Sequence, residues 1–254
     1  FDIADLDGDG ILDIVTANRD SDDISILRGH GDGTFATEQR LEMPAGLYGV
    51  AVADLNGDGN ADLLSSMYID DIRTIGVALS IGEGLFGPLA IYGDQDAGFS
   101  GLATIEDFDG DGNLDLVAWN STKNEVVIML GTGDGGLVEG SRYAIGQRPR
   151  RVIAADFDVD GHLDLAVPSF ETRDTVVLMG VGDGTFEVLP RILDTSAYVV
   201  AGDLDGDGIP ELIGGGFKFL NVASNRVQRV ELGGMPERIV VFGTSDMNRD
   251  GILD

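Results

Sequence analysis

The amino-acid sequence predicts an all-β fold, a β-propeller of four-stranded blades. Three observations predict it. An aspartate-rich string of nine residues occurs six times, with spacings of 49, 53, 49, 47 and 43 residues between first positions. A glycine turn falls midway through four of the five full periods. Short β-branched runs fill the rest, with no long 3.6-residue periodicity. Four strands in a period of this length, repeated radially, describe a propeller blade. A stacked solenoid is the runner-up, but its coils are usually shorter.

Each period reads in the same order. Strand A enters the aspartate string, as in YGVAVAD (48–54) and RVIAAD (151–156). Strand B leaves it, as in ADLLSS (61–66) and LDLAV (163–167). Strand C enters the glycine turn, as in DISILRG (23–29), EVVIMLG (125–131) and TVVLMG (175–180). The turns are GHGDGTF (29–35), SIGEGLF (80–86), GTGDGGL (131–137) and GVGDGTF (180–186), and strand D follows each. Phe35, Phe86 and Phe186 close three of these turns and are expected to anchor the core. The repeats run 5–53, 54–106, 107–155, 156–202 and 203–245, with a sixth string at 246–254. The fifth repeat lacks the glycine turn and is the shortest, so it is degenerate. Residues 1–254 are expected to form one partial propeller domain, a piece of a longer protein.

Composition narrows the function. The chain has 254 residues, 43% hydrophobic, and a net charge of −29. Mean hydropathy is close to zero, as in a globular domain. Such acidity argues against nucleic acid as a partner, since phosphate binding needs a basic surface. No apolar run is long enough for a membrane span. There is no cysteine, so no disulfide holds the fold.

The acidity is concentrated in the strings, which carry 22 of the 45 acidic residues. Position 1 is Asp5, Asp54, Asp107, Asp156, Asp203 and Asp246. Position 3 is Asp7, Asn56, Asp109, Asp158, Asp205 and Asn248. Position 5 is Asp9, Asp58, Asp111, Asp160, Asp207 and Asp250, followed in every copy by glycine. Position 9 is Asp13, Asp62, Asp115, Asp164, Glu211 and Asp254. Alternate acidic side chains in a tight loop can converge on one centre, and hard oxygen ligands in that number suit Ca²⁺. Position 7 would offer its backbone carbonyl, which lets its side chain vary: Ile11, Asn60, Asn113, His162, Ile209 and Ile252. Up to six Ca²⁺ are expected, one per loop. Acidic solvated turns without metal are the alternative, and six near-identical copies weigh against it.

An EF-hand shares the first six positions but needs Glu at position 12 and flanking helices. Position 12 here is Thr16, Ser65, Ala118, Val167 or Gly214, and the flanks read as strands. The paired dockerin motif has a much shorter period. The copies also differ among themselves. Val159 and Arg249 replace glycine at position 4, and valine would be strained if that position needs a positive φ. Asn56 and Asn248 keep an oxygen but lose a charge.

A strand, a DxDGDGxxD string, a second strand and a GDGTF-like turn together resemble the VCBS and FG-GAP repeats of integrin α-like propellers. The resemblance covers essentially the whole chain. It implies a four-stranded blade per repeat, Ca²⁺ in each A–B loop held by the residues above, and a ring of six to eight blades. About five blades lie in this chain, so others are missing or a partner chain closes the ring. The A–B loops and the C–D turns would then share one face, and the B–C and D–A connections the other.

Beyond calcium the sequence is less specific. Arg142, Arg148, Arg150 and Arg151 crowd the D strand and D–A connection of the third repeat. They read as charge balance on an acidic body, or as a pocket for an anionic sugar or acidic peptide. Trp119, the one tryptophan, stands where other repeats have Ala17, Ser66 and Pro168. It reads as filler between blades or as a sugar-stacking platform. Of the two histidines, His162 lies inside a metal string, and no nucleophile motif is present. The expected function is an extracellular adhesion or recognition scaffold with structural calcium. Its protein or glycan ligand would sit on the face opposite the calcium loops, and incomplete ring ends could self-associate. A polysaccharide lyase or a subunit of a surface assembly are the alternatives.

Overall fold

Strands alternate with tight acidic or glycine turns throughout the computed structural model. The structure describes residues 1–44, 46–93, 98–149, 151–193, 195, 199–203, 206–214, 217–220 and 228–231. Among these there is no helix, and five antiparallel sheets form. The first holds β1 (Asp2–Ala4), β2 (Asp13–Asn18), β3 (Asp23–Leu27) and β4 (Gln39–Glu42). The second holds β5 (Gly49–Ala53), β6 (Asp62–Ile69), β7 (Ile72–Ala78) and β8 (Ala90–Tyr92). The third holds β9 (Gly101–Glu106), β10 (Asp115–Asn120), β11 (Glu125–Gly131) and β12 (Leu137–Ala144). The fourth holds β13 (Ile153–Ala155), β14 (Asp164–Pro168), β15 (Asp174–Gly180), β16 (Phe186–Val188) and an extra β17 (Ile192–Leu193). The fifth holds β18 (Val199–Gly202), β19 (Glu211–Gly214), β20 (Phe217–Leu220) and β21 (Gln228–Glu231).

Each sheet is a meander in chain order, with the aspartate string between its first two strands. The fifth sheet keeps four strands although its sequence lacks the glycine turn. In the fourth sheet the last strand is split. Leu189 N–H still reaches the Val177 carbonyl at 2.9 Å, but Pro190 has no N–H to continue the ladder. β17 resumes pairing with β15 at Thr175 and Asp174. In the second sheet β6 and β7 form a long hairpin closed by Asp70 and Asp71. Both have positive φ, 49° and 63°, as a two-residue hairpin turn requires.

The chain divides into two compact units, residues 1–107 with 111–140, and residues 108–110 with 141–254. The first unit has two apolar clusters. One joins Leu6, Val15, Ile24, Ile26, Leu63 and Met67, and the other Leu64, Ile75, Val77, Leu116, Val127 and Met129. The β6 residues Leu63 and Leu64 point to opposite faces and serve one cluster each, as the period of two demands. The second unit has its own cluster of Ile153, Phe157, Ala166, Val177, Leu212 and neighbours. In β10, β11, β14 and β15 both faces are largely buried, and the sequences there run apolar without alternation, as in Leu116–Ala118, Val126–Met129, Leu165–Val167 and Val176–Met179.

The three phenylalanines do not share the anchoring role expected of them. Phe186 is buried, with the rings of Phe108 and Tyr143 at 5.9 and 5.7 Å. Phe86 is half-buried and packs against the cluster of Leu6, Val15 and Leu63, whereas Phe35 is 42% exposed. Burial of this position depends on rings supplied by distant residues, which a GDGTF string does not specify.

Candidate metal loops

The aspartate strings fold into loops of one design. The position 1 carboxylate caps the loop from inside. Asp5 accepts the Gly8 N–H at 2.8 Å and the Gly10 N–H at 2.8 Å. Asp54, Asp107, Asp156 and Asp203 accept the equivalent position 6 N–H at 2.8, 3.0, 2.9 and 2.9 Å. These backbone donors, that of Gly10 above all, hold the Asp5 carboxyl below its usual range. The position 5 carboxylate accepts the N–H of position 7, at 2.8 Å for Asp9 and Ile11. Position 4 takes φ of 79°, 70°, 74° and 77° at Gly8, Gly57, Gly110 and Gly206, and Val159 takes 60°. The valine is therefore forced into the left-handed region, as its place in the string implied.

Position 9 is the buried keystone. Asp13, Asp62, Asp115, Asp164 and Glu211 are all at most 2% exposed. Oδ2 of Asp13, Asp62 and Asp164 accepts the position 2 N–H at 3.1, 2.9 and 2.7 Å. Oδ1 reaches the glycine turn, accepting from Gly29, Ser80, Gly131 and Gly180 at 2.9, 2.7, 2.8 and 2.7 Å. The A–B loop and the C–D turn of a sheet are thereby tied at one end of it. Burial pushes the Asp164 carboxyl up to about 6 and raises Asp62 as well. Burial, followed by the neighbouring Asp160, also raises Asp158.

Three loops bring carboxylates together. Asp5, Asp7 and Asp13 form one group, Asp107, Asp109 and Asp115 a second, and Asp156, Asp158 and Asp164 a third. Within each, one ligand oxygen per residue lies within 4.8 Å of the others. An all-oxygen, anionic donor set of this kind fits a hard cation and could hold a metal ion. Asp9, Asp111 and Asp160 at position 5 fall outside these three-carboxylate groups.

The second loop is arranged differently. Asn56 accepts the Asp58 N–H at 3.0 Å and its amide donates to Asp58 Oδ2 at 3.1 Å. The Asn60 amide donates to Asp58 as well, and these bonds, led by the Asn60 backbone, keep the Asp58 carboxyl low. In the fifth loop Asp203, Asp207, Ile209 and Glu211 are in place, whereas Asp205 lies outside the described residues. The sixth string, with Asp246, Asn248, Asp250, Ile252 and Asp254, also lies outside them, as does Arg249.

The variable position 7 has a contact that sequence reasoning missed. The side chains of Ile11, Asn113 and His162 lie across Gly31, Gly133 and Gly182 of their own glycine turns. All three glycines have positive φ, and a β-carbon there would collide with Asn113 or His162. Arg28 was also not foreseen. Its Nη1 stands 2.6 Å from Asp7 Oδ2 and 3.6 Å from Asp13 Oδ2. A signal was available: an arginine immediately before the first glycine turn, where the other repeats have Leu79, Leu130 and Met179.

The remaining candidates are separate from these loops. The Trp119 ring is half-buried and lies across Gly101, its cross-strand partner in the same sheet. Arg148 is exposed, 3.3 Å from Glu171 and stacked over Phe170. Arg151 is exposed, and Arg150 lies outside the described residues. At the far end of β6 and β10 from the aspartate loops is a cavity of about 380 Å³. Tyr68, Asp71, Arg73, Asn120 and Lys123 are among its lining residues.

Comparison with known proteins follows the same lines. No curated protein matches the sequence. Among solved structures, the chain is similar to a functionally unknown protein from Desulfotomaculum acetoxidans DSM 771. The TM-score is 0.59 at 14% identity, covering 86% of this chain and 65% of that one. It is similar also to BBS1N, solved in complex with ARL6DN, with TM-score 0.58 at 11% identity. That match covers 90% of this chain and 65% of the other. At such identities the likeness is one of fold, and this chain spans about two thirds of the length of each. The model of the FG-GAP-like repeat matches residues 5–65 and 107–167, two segments that each run from one aspartate string through the next and into the strand after it. Over those two segments, with their strings and antiparallel strands, the chain is similar to FG-GAP-like repeats.

Proposed function

We propose that the chain is a calcium-stabilised propeller segment that acts outside the cell as a recognition or adhesion scaffold. One observation carries the reading: in three loops, three carboxylates converge around a fully buried position 9 aspartate. Burying such a group beside like charges is unfavourable without a cation. Binding a metal there becomes folding free energy, because the loop is tied to the glycine turn of the same sheet. Loops of this openness suit millimolar extracellular Ca²⁺. The metals are structural, one per competent loop, and the sheets are blades of a larger ring. A thermal melt with chelator and with millimolar Ca²⁺ tests the reading. The melting temperature should rise by several degrees with calcium, and coincident melts would refute it.

Recognition falls to the opposite end of the sheets, where Tyr68 and Arg73 line the 380 Å³ cavity. Aromatic and charged groups around a concavity suit a polar ligand such as a glycan or an acidic peptide. The module binds without turnover. A glycan array with a lyase assay on uronic-acid polymers tests this, and ultraviolet-absorbing unsaturated products would make it an enzyme.

A further inference from the structure

The first loop carries its own cation. Arg28 follows β3 directly, in the place of Leu79 after β7 and of Met179 in β15. These places correspond because the next residue in each, Gly29, Ser80 or Gly180, donates its N–H to the position 9 aspartate. Leu79 lies against Gly135 in the next glycine turn. The Arg28 stem takes the same course toward Gly84, and a β-carbon there would overlap the guanidinium. Nη2 donates to the Gly84 carbonyl at 3.0 Å.

The other end of the guanidinium faces its own aspartate loop. Nη1 lies 2.6 Å from Asp7 Oδ2 and 3.6 Å from Asp13 Oδ2. It is buried and makes no aligned hydrogen bond, so its hold on these carboxylates is electrostatic. Asp7 and Asp13 are two members of the first three-carboxylate group. A distance of 2.6 Å is what a calcium ion would keep from a carboxylate oxygen. A guanidinium cannot give up its charge near neutral pH. A divalent ion entering this loop would therefore meet a fixed positive charge already sharing two of its three carboxylates.

We propose that Arg28 is the resident counter-ion of the first loop and stands where the third and fourth loops would hold a metal. The inference rests on the calcium reading of those loops. It makes the first repeat's loop ordered without calcium, while its sequence is among the most complete of the six.

Calcium counting on the full chain, by equilibrium dialysis at millimolar Ca²⁺, tests it. Arg28→Leu, which restores the residue type of the neighbouring repeats, should bind one more ion than the parent. Arg28→Gln keeps a donor for the Gly84 carbonyl and should show the same gain if the leucine variant does not fold. In the parent background, Asp7→Ala should leave the count unchanged, whereas Asp158→Ala should lower it by one. Equal non-zero counts for the parent and its Arg28 variants, or a loss of one ion in Asp7→Ala, would overturn the role of Arg28 and leave the calcium reading intact. No bound calcium in any protein would overturn both.

Discussion

Asp164 Oδ1 accepts the Gly180 N–H at 2.7 Å, joining the end of an aspartate string to the start of the glycine turn sixteen residues later. Its Oδ2 accepts the Phe157 N–H at 2.7 Å. One fully buried carboxylate thus satisfies two backbone donors from two loops. Asp13 and Asp62 do the same in their own sheets.

Truncating this residue should cost more than removing a surface charge. Asp164→Ala leaves two buried N–H groups without acceptors, each worth about 1–3 kcal/mol. Urea denaturation should show a loss of about 3 kcal/mol. Asp183→Ala, at an exposed turn position, should lose under about 1 kcal/mol.

The pH dependence should change sign with calcium. Burial raises the folded Asp164 carboxyl from 3.8 to about 6. In chelator, the folded state then holds a proton that the unfolded state releases between these values. Stability is present in full below the unfolded value and is lost as pH rises from about 4 to about 6, by roughly 1–3 kcal/mol. With saturating calcium the carboxylate must be ionised to bind, so stability should rise over the same interval. Chemical melts at pH 4, 5 and 6, with and without calcium, measure both slopes.

Position 4 of the fourth loop offers a stabilising change. Val159 has φ of 60° and is exposed, so little packing is lost on its removal. Val159→Gly should stabilise by about 1 kcal/mol, the relief of left-handed strain less the greater freedom of glycine in the unfolded chain. Gly8→Val should destabilise by a similar amount. A lower melting temperature for Val159→Gly would show that the backbone is not under strain there.

The turn phenylalanines should separate by environment. Phe186→Ala empties a site shared with Phe108 and Tyr143 and should cost about 3–4 kcal/mol. Phe35→Ala should cost under about 1 kcal/mol, since Phe35 already meets solvent. Equal losses in denaturant melts would contradict the difference in burial.

Much of this fold is legible in the order of its residues. The strings mark every A–B loop among the described residues, and the β-branched runs on either side are strands. The strain at Val159 follows from its place in the string, because a nine-residue loop closes on itself through local φ and ψ alone. The contacts of Arg28, Trp119 and Phe35 are of another kind. Arginine before a glycine turn says nothing about whether its head turns to solvent or back over the aspartates. A lone tryptophan does not announce that the residue facing it across the ladder is Gly101. The extra strand β17 is a further case. Pro190 signals a break, but renewed pairing with β15 depends on the free edge beyond it.

Local chemistry therefore came from the sequence by itself: four strands per repeat, an acidic loop shaped by its glycines, and a position 9 acid in each. These follow from hydrogen bonds and dihedral limits within about ten residues, which a short string can encode. The tertiary structure alone decided which carboxylates meet a guanidinium, which aromatic rings find cover and which position 7 side chains roof a glycine turn. Those outcomes depend on atoms brought together from different strands and different repeats, and near-identical strings meet different neighbours.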